Sequence, residues 1–326
     1  MSRRTSPARL LAALAAAFAW LVTAGVAPSR AQSLTLVAPA APGGGWDQTA
    51  RAMQRALRDT EPHAAVQVEN VPGAAGTVGL ARFISSERGR PDALLVIGLV
   101  MVSGIATIGS AVSLADVTPI ARLTGEHEVI VVPADSPFRT LQDLVAALRR
   151  APQSVSWGGG SAGGTDDLLA RLLAEAVGVP PAAVNYVAFS GGGEALAAML
   201  GGRVTAGVSG YGEFEGQIKA GKLRVIGVTS PKRLTNAPDA PTFKEQGVDL
   251  EVLNWRSVVA PPGITADQRK ALAEAMDKMA KSKEWAEILK ARGWDDAYMP
   301  SAEFETFLKA ENERVEKVMK TVGLIK

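Results

Sequence analysis

The 326-residue chain contains no cysteine and only two histidines. No disulfide can form, and no thiolate is present to act as nucleophile or metal ligand. His63 and His127 stand in unrelated contexts, without the close spacing of a zinc motif. Aromatic residues make up only 5% of the chain, and no basic stripe interleaves with them, so a nucleic-acid partner is not expected. Low-complexity linkers and solenoid repeats are missing too. Neither a metal nor a cofactor is expected.

One long apolar run is present, at the N-terminus. Arg3, Arg4 and Arg9 precede an Ala- and Leu-rich stretch from Leu10 to about Val26, and Ser29-Arg30-Ala31 ends it in a small-x-small pattern. The run is about the minimum length for a membrane span. The cleavage pattern and the polar Gln32-Ser33 after it instead read as a secretory signal peptide over residues 1–31, removed after Ala31. A periplasmic location follows as an expectation. The full chain carries 35 basic and 33 acidic residues; without the four arginines of the signal, 31 face 33, a net −2. The basic pI of 8.8 therefore belongs to the precursor and argues for no acidic partner.

After the signal, short apolar strands alternate with amphipathic helices. Strands are expected at 34–38, 66–69, 94–97, 129–132, 155–157, 185–188, 206–209 and 224–228. Helices are expected at 47–58, after the Pro72–Gly76 turn, at 141–150 behind a Thr140 cap, and at 266–281, 283–292 and 302–322. This alternation predicts an α/β protein with mostly parallel sheets. With no flexible linker, the chain should pass between two domains on ordered strands, near Val129–Val132 and Arg224–Val228. Domain 1 would combine residues 32–128 and 229–326, and domain 2 would hold residues 129–228.

Two glycine loops echo each other. Pro42-Gly-Gly-Gly-Trp-Asp-Gln-Thr-Ala-Arg51 follows a strand and opens a helix, and so does Gly158-Gly-Gly-Ser-Ala-Gly-Gly-Thr-Asp-Asp-Leu-Leu-Ala-Arg171. Glycine lets a ligand approach the main chain closely. The helix start behind it offers unpaired N–H groups and roughly half a positive charge, so each loop is a potential anion site built from backbone. One loop per domain, facing a shared cleft, would grip an anionic solute from both sides. The plainer alternative is that the glycines make tight turns and Asp47 and Asp166 cap helices.

The second loop also fits two enzyme signatures, and neither completes. Gly158-x-Gly160-x-x-Gly163 matches a dinucleotide fingerprint, but the next strand ends Tyr186-Val-Ala-Phe-Ser190 without the acid a ribose needs. Gly159-x-Ser161-x-Gly163 matches a nucleophile elbow, yet both histidines precede Ser161, against the hydrolase order. No catalytic set is complete, and a non-enzymatic protein is expected.

Taken together, the motifs resemble the extracytoplasmic solute receptors of tripartite tricarboxylate transporters, the group that includes the Bordetella uptake proteins. The matching stretches are 42–51, 69–79, 158–166, 189–196, 201–204, 209–214 and 254–263, which span nearly the whole mature chain. The resemblance implies a two-domain, type II periplasmic-binding-protein (Venus-flytrap) fold closing on a carboxylate. It implies one jaw from Gly43, Gly44, Gly45, Trp46 and Asp47, and another from Ser161, Ala162, Gly163, Gly164, Thr165 and Asp166. Ser190 and Ser209-Gly210-Tyr211 would line the distal pocket. A small residue is common in the family where Trp46 stands here, and a histidine where Asp167 stands. The implied role is capture of a di- or tricarboxylate, citrate-like, by a monomer that delivers it to large and small membrane permease subunits. A receptor signalling to a sensor kinase, or an exported hydrolase using Ser161, are the alternatives. Trp255-Arg256 could reach the cleft, although a tryptophan at a strand is more often core.

Overall fold

The computed structural model describes residues 33–60, 65–189 and 192–325. The signal segment, His63 and Ser190 lie outside these residues. Ten strands form one continuous, curled sheet: β1 (Leu34–Ala38), β2 (Val66–Asn70), β3 (Ala93–Gly98), β4 (Thr118–Pro133), β5 (Ser156–Gly159), β6 (Asn185–Ala188), β7 (Ala206–Gly210), β8 (Leu223–Val228), β9 (Leu253–Ala260) and β10 (Asp295–Met299). Their order is β2-β1-β3-β9-β4-β7-β5-β6, with β8 and β10 also pairing with β4. Around it lie α1 (Gly45–Thr60), α2 (Thr77–Ser86), α3 (Leu99–Ile108), α4 (Leu141–Arg150), α5 (Thr165–Ala176), α6 (Gly192–Leu200), α7 (Tyr211–Lys219), α8 (Ala266–Ala280), α9 (Lys283–Arg292) and α10 (Ser301–Thr321).

The helices form where apolar periodicity and caps coincide. In α1, Trp46, Ala50, Met53 and Leu57 fall on one buried stripe, while Arg51, Arg55 and Arg58 face outward. Thr140 and Asp143 close the anticipated capping box on α4: Thr140 Oγ1 accepts the Asp143 N–H, and Asp143 accepts the Thr140 N–H.

Strand β4 carries the chain from one half to the other. Thr118–His127 pair with β9, whereas Glu128–Val131 pair with β7. Along its second part the side chains alternate between two cores. Ile130 and Val132 pack with Leu144, Trp157 and Leu169, and Val129 and Val131 with Met199 and Phe214. A separate core gathers β1, β3 and β9 with α1 and α10, around Leu36, Met53, Val96, Trp285 and Phe304.

Two features differ from the sequence expectation. The outer strands are parallel, β2-β1-β3 on one side and β6-β5-β7 on the other, but β9 and β4 join them through antiparallel pairs, so the sheet is mixed. The packing also does not change over at Val228. Phe243, Val248 and Val252 belong to the core of Ile130 and Trp157, and the return to the first core comes with β9.

Candidate functional site

The two glycine loops fold alike. Gly43 and Gly163 both adopt left-handed backbone, with φ of 85° and 72°. The next glycine closes a tight turn in each: the Gly44 N–H donates to the Ala41 carbonyl at 3.1 Å, and the Gly164 N–H to the Ser161 carbonyl at 2.9 Å. The first helical bonds run from Gln48 N–H to Gly44 O and from Leu168 N–H to Gly164 O, both at 2.9 Å. The N–H groups of the first helical turn in between lie outside each helix's own ladder. They are available to an anion.

An aspartate locks each loop from behind. Asp47 Oδ2 accepts the Gly43 N–H at 2.8 Å and the Arg51 Nε–H at 3.0 Å. Asp167 accepts the Gly163 N–H at 2.9 Å and the Arg171 Nε–H at 2.8 Å. Asn70 adds a third donor to Asp47 at 2.9 Å. Burial pushes the Asp47 carboxyl up, but the bonds from Arg51, Gly43 and Asn70 outweigh it, so it titrates below the usual carboxylate range. Asp47 is thus a brace for its loop, and its carboxylate is spent on backbone and Arg51.

Both loops open onto one cavity of about 190 Å³. Of the expected jaw residues, Gly44, Gly45 and Trp46 line it from the first loop and the start of α1, and Ser161, Gly164, Thr165 and Asp166 from the second loop and the start of α5, joined by Ser209. Gly43, Asp47, Ala162, Gly163, Gly210 and Tyr211 do not. Gly43, Asp47 and Gly163 are occupied in shaping the loops. Ala162 is exposed. Gly210 packs against the Glu126 carboxylate, and Tyr211 is buried beside Phe214 with its hydroxyl donating to Asn236 O at 3.3 Å. Trp46 is nearly buried and stands against Gly76, in a turn that also borders the cavity.

The sequence underrated one residue. Arg256 lines the cavity, only 2% exposed. Its Nη2–H donates to Glu126 Oε2 at 2.6 Å, and its guanidinium lies 5.1 Å from the centre of the Trp294 ring. A Cβ on Gly45 would sit 2.6 Å from Nη2, so the first loop needs glycine there to admit the arginine. Nη1 is buried and has no protein partner. Trp255, its neighbour, points the other way, donating to Glu311 at 3.0 Å and meeting Phe304 and Phe307 edge-on. The signal that separates them is strand alternation: Trp255 and Arg256 take opposite faces of β9.

Acids also gather here. Asp166 Oδ2 accepts the Gly160 N–H at 2.7 Å; burial, with the neighbouring Asp167 and Glu126, pushes its carboxyl up to about 7. Behind it, Glu128 is fully buried with neither carboxyl oxygen hydrogen-bonded, and burial raises its pKa well above the ordinary value. Glu213 and Asn254 complete the polar lining. Among the described residues no histidine lines the cavity beside Ser161; His127 meets the Val252 carbonyl at 3.1 Å and Asp295 at 3.0 Å.

The chain is similar to known proteins in sequence and fold. The family model described as tripartite tricarboxylate transporter family receptor matches residues 49–324. A UPF0065 protein from the TAR-I ttuE-ttuC' intergenic region of Agrobacterium vitis is 30% identical over 322 residues, covering 93% of this chain and 90% of its own. A TctC solute binding protein from Polaromonas superposes with a TM-score of 0.64 at 26% identity, over 90% of this chain and 99% of that one. Rpa4515 of R. palustris, solved with adipate, superposes at 0.80 with 24% identity, over 91% of this chain and 98% of that one. The fold is that of the type II periplasmic solute-binding proteins.

Proposed function

The chain belongs to the tripartite tricarboxylate transporter receptor family, and from that premise we propose that it captures a small carboxylate in the cavity between its two glycine loops and delivers it to a membrane permease of one large and one small subunit. The observation that carries this reading is the matched pair of braced helix starts opening onto one cavity. Two partial positive charges, the Thr165 hydroxyl and the free Nη1–H of Arg256 offer donors to an anion, with no nucleophile or metal required. The adipate bound by Rpa4515 supports a carboxylate as the ligand class. The cavity suits a ligand of a few carbons, below the size range of drug-like pockets.

The closing bodies in this proposal are residues 33–127 with 253–325, and residues 128–252. The change of partner along β4 and the packing of Phe243, Val248 and Val252 support those limits. The protein would work as an exported monomer; among the described residues no helix is long and apolar enough to cross a membrane. A thermal-shift screen of the protein lacking residues 1–31 against an organic-acid panel tests the reading. A ligand at about 100 times its Kd adds about 2.7 kcal/mol to stability. If no carboxylate moves the melting temperature, the ligand class is wrong.

A further inference from the structure

Arg256 brings a buried Nη1 to the cavity, and so long a side chain makes a good donor only when its rotamers are already fixed. The ion pair with Glu126 holds one edge of the guanidinium, through Nη2. Rotation about that contact could still carry Nη1 away from a solute. Trp294 supplies the second restraint: Arg256 Cζ lies over its ring, 5.1 Å from the centre. A second guanidinium, that of Arg292, lies over the same ring at 4.9 Å. The negative face of an indole attracts both cations, and the planar guanidinium suits such stacking. The ring thus keeps two like charges close together.

Backbone geometry sets Trp294 in place. Gly293 ends α9 in left-handed conformation, with φ of 66°, and the Trp294 N–H donates to the Leu289 carbonyl at 2.9 Å, as in a Schellman turn. A Cβ on Gly293 would fall 2.6 Å from the Asn236 side chain, so the turn is tightly enclosed. On the far side of the stack, Arg292 Nη1–H donates to Gln48 Oε1 at 2.8 Å, and Gln48 Nε2–H to the Gly43 carbonyl at 2.9 Å. The chain of contacts therefore runs from Arg256 to the first glycine loop. Trp294, Arg292 and Gln48 do not line the cavity themselves. Resting on the capture of a carboxylate proposed above, we infer that Trp294 is a positioning residue for solute binding. It holds Arg256 with Nη1 available to the solute and, through Arg292 and Gln48, fixes that arginine relative to the first loop. The guanidinium and the helix start behind Gly43 are thereby kept in register for one carboxylate.

The probe for the test is whichever of succinate, malate, glutarate, adipate and citrate most raises the melting temperature, and its Kd is measured by titration calorimetry. Trp294→Leu, which keeps an apolar side chain but no ring, should bind the probe about ten-fold more weakly or worse. Trp294→Phe, which keeps a ring under the guanidinium, should stay within about three-fold of wild type. Both variants lose buried volume and should lose stability in urea, so stability and affinity separate packing from positioning. In the background Arg256→Met/Glu126→Gln, adding Trp294→Leu should change the Kd by less than about two-fold, because its effect passes through Arg256. An affinity that follows stability rather than the ring, or a Trp294→Leu loss that persists without Arg256, overturns the inference while leaving carboxylate capture standing. If none of the five acids moves the melting temperature, both are overturned.

Discussion

Asp47 and Asp167 do the same work in opposite halves of the molecule. Each accepts the N–H of the left-handed glycine four residues before it, at 2.8 and 2.9 Å, and each receives the Nε–H of the arginine four residues after it, at 3.0 and 2.8 Å. The two bracing sets are the same distance apart in sequence, from Gly43 to Gly163 and from Arg51 to Arg171. Their effect is to fix two loops whose N–H groups point at a common cavity.

Replacing either aspartate by asparagine should loosen its loop. Asp47→Asn and Asp167→Asn are each expected to lose about 1–3 kcal/mol, because a charge-assisted acceptor of a loop N–H becomes a weaker one. Urea unfolding measures this, and calorimetry should show weaker solute binding in both. For Asp47 the folded pKa is depressed, so its contribution is present above the unfolded value of about 4 and is lost as pH falls through the folded value. The gap between wild type and Asp47→Asn should accordingly narrow in strong acid.

Gly43→Ala and Gly163→Ala make a controlled pair. Both force a side chain onto left-handed backbone, at about 1–2 kcal/mol each. A Cβ at Gly43 meets nothing within 4 Å, whereas one at Gly163 would come within 2.2 Å of Thr107 Oγ1 on α3. Gly163→Ala should therefore be the more damaging, and adding Thr107→Ala should restore only the excess. Equal melting temperatures in the two single variants would remove the collision from the account.

Arg256 should be needed for the ligand more than for the fold. Arg256→Met alone leaves Glu126 buried without its partner, expected to lose about 3–5 kcal/mol. The double variant Arg256→Met/Glu126→Gln should recover most of that stability, since no lone buried charge remains. Its affinity for the solute should stay at least ten-fold down, or about 1.4 kcal/mol. A double variant that regains affinity together with stability would show Arg256 to be a structural residue only.

The unliganded protein should gain stability as pH is lowered from about 7 toward 5. Asp166 has a raised folded pKa of about 7, so over this window the folded state holds more protons than the unfolded one. Glu128, also raised, acts in the same direction. Asp166→Asn should flatten the rise by something on the order of 2 kcal/mol, read from urea unfolding at several pH values. A variant with the wild-type slope would place Asp166 in an ordinary polar setting.

Much of this was legible along the chain, and the gaps have physical causes. The helices α1, α4 and α8 to α10 announce themselves through 3.6-residue periodicity and caps such as Thr140, which are local properties. Strand β10 did not: Asp295-Asp-Ala-Tyr-Met299 has no clear alternation and becomes a strand because Asp295, Asp296 and Met299 pair with β4. The loops after Val228 bury Phe243, Val248 and Val252 in the second core, a choice no local pattern records.

At the site, the division is between backbone and side chain. The sequence by itself determined the two glycine-rich helix starts, since glycine, aspartate and arginine recur there at the same spacing and the same brace forms in both. It could not rank the residues within those loops. Only the tertiary structure decided that Asp47 turns inward to its own loop, that Tyr211 belongs to a core, and that Arg256 rests on Gly45 with one nitrogen free. It also set the acids against the donors, because Glu126 and Glu128 on β4, Asp166 on α5 and Glu213 on α7 meet only when those three elements pack together. Charge balance in a cavity depends on distances across the fold, and spacing along the chain carries none of that information.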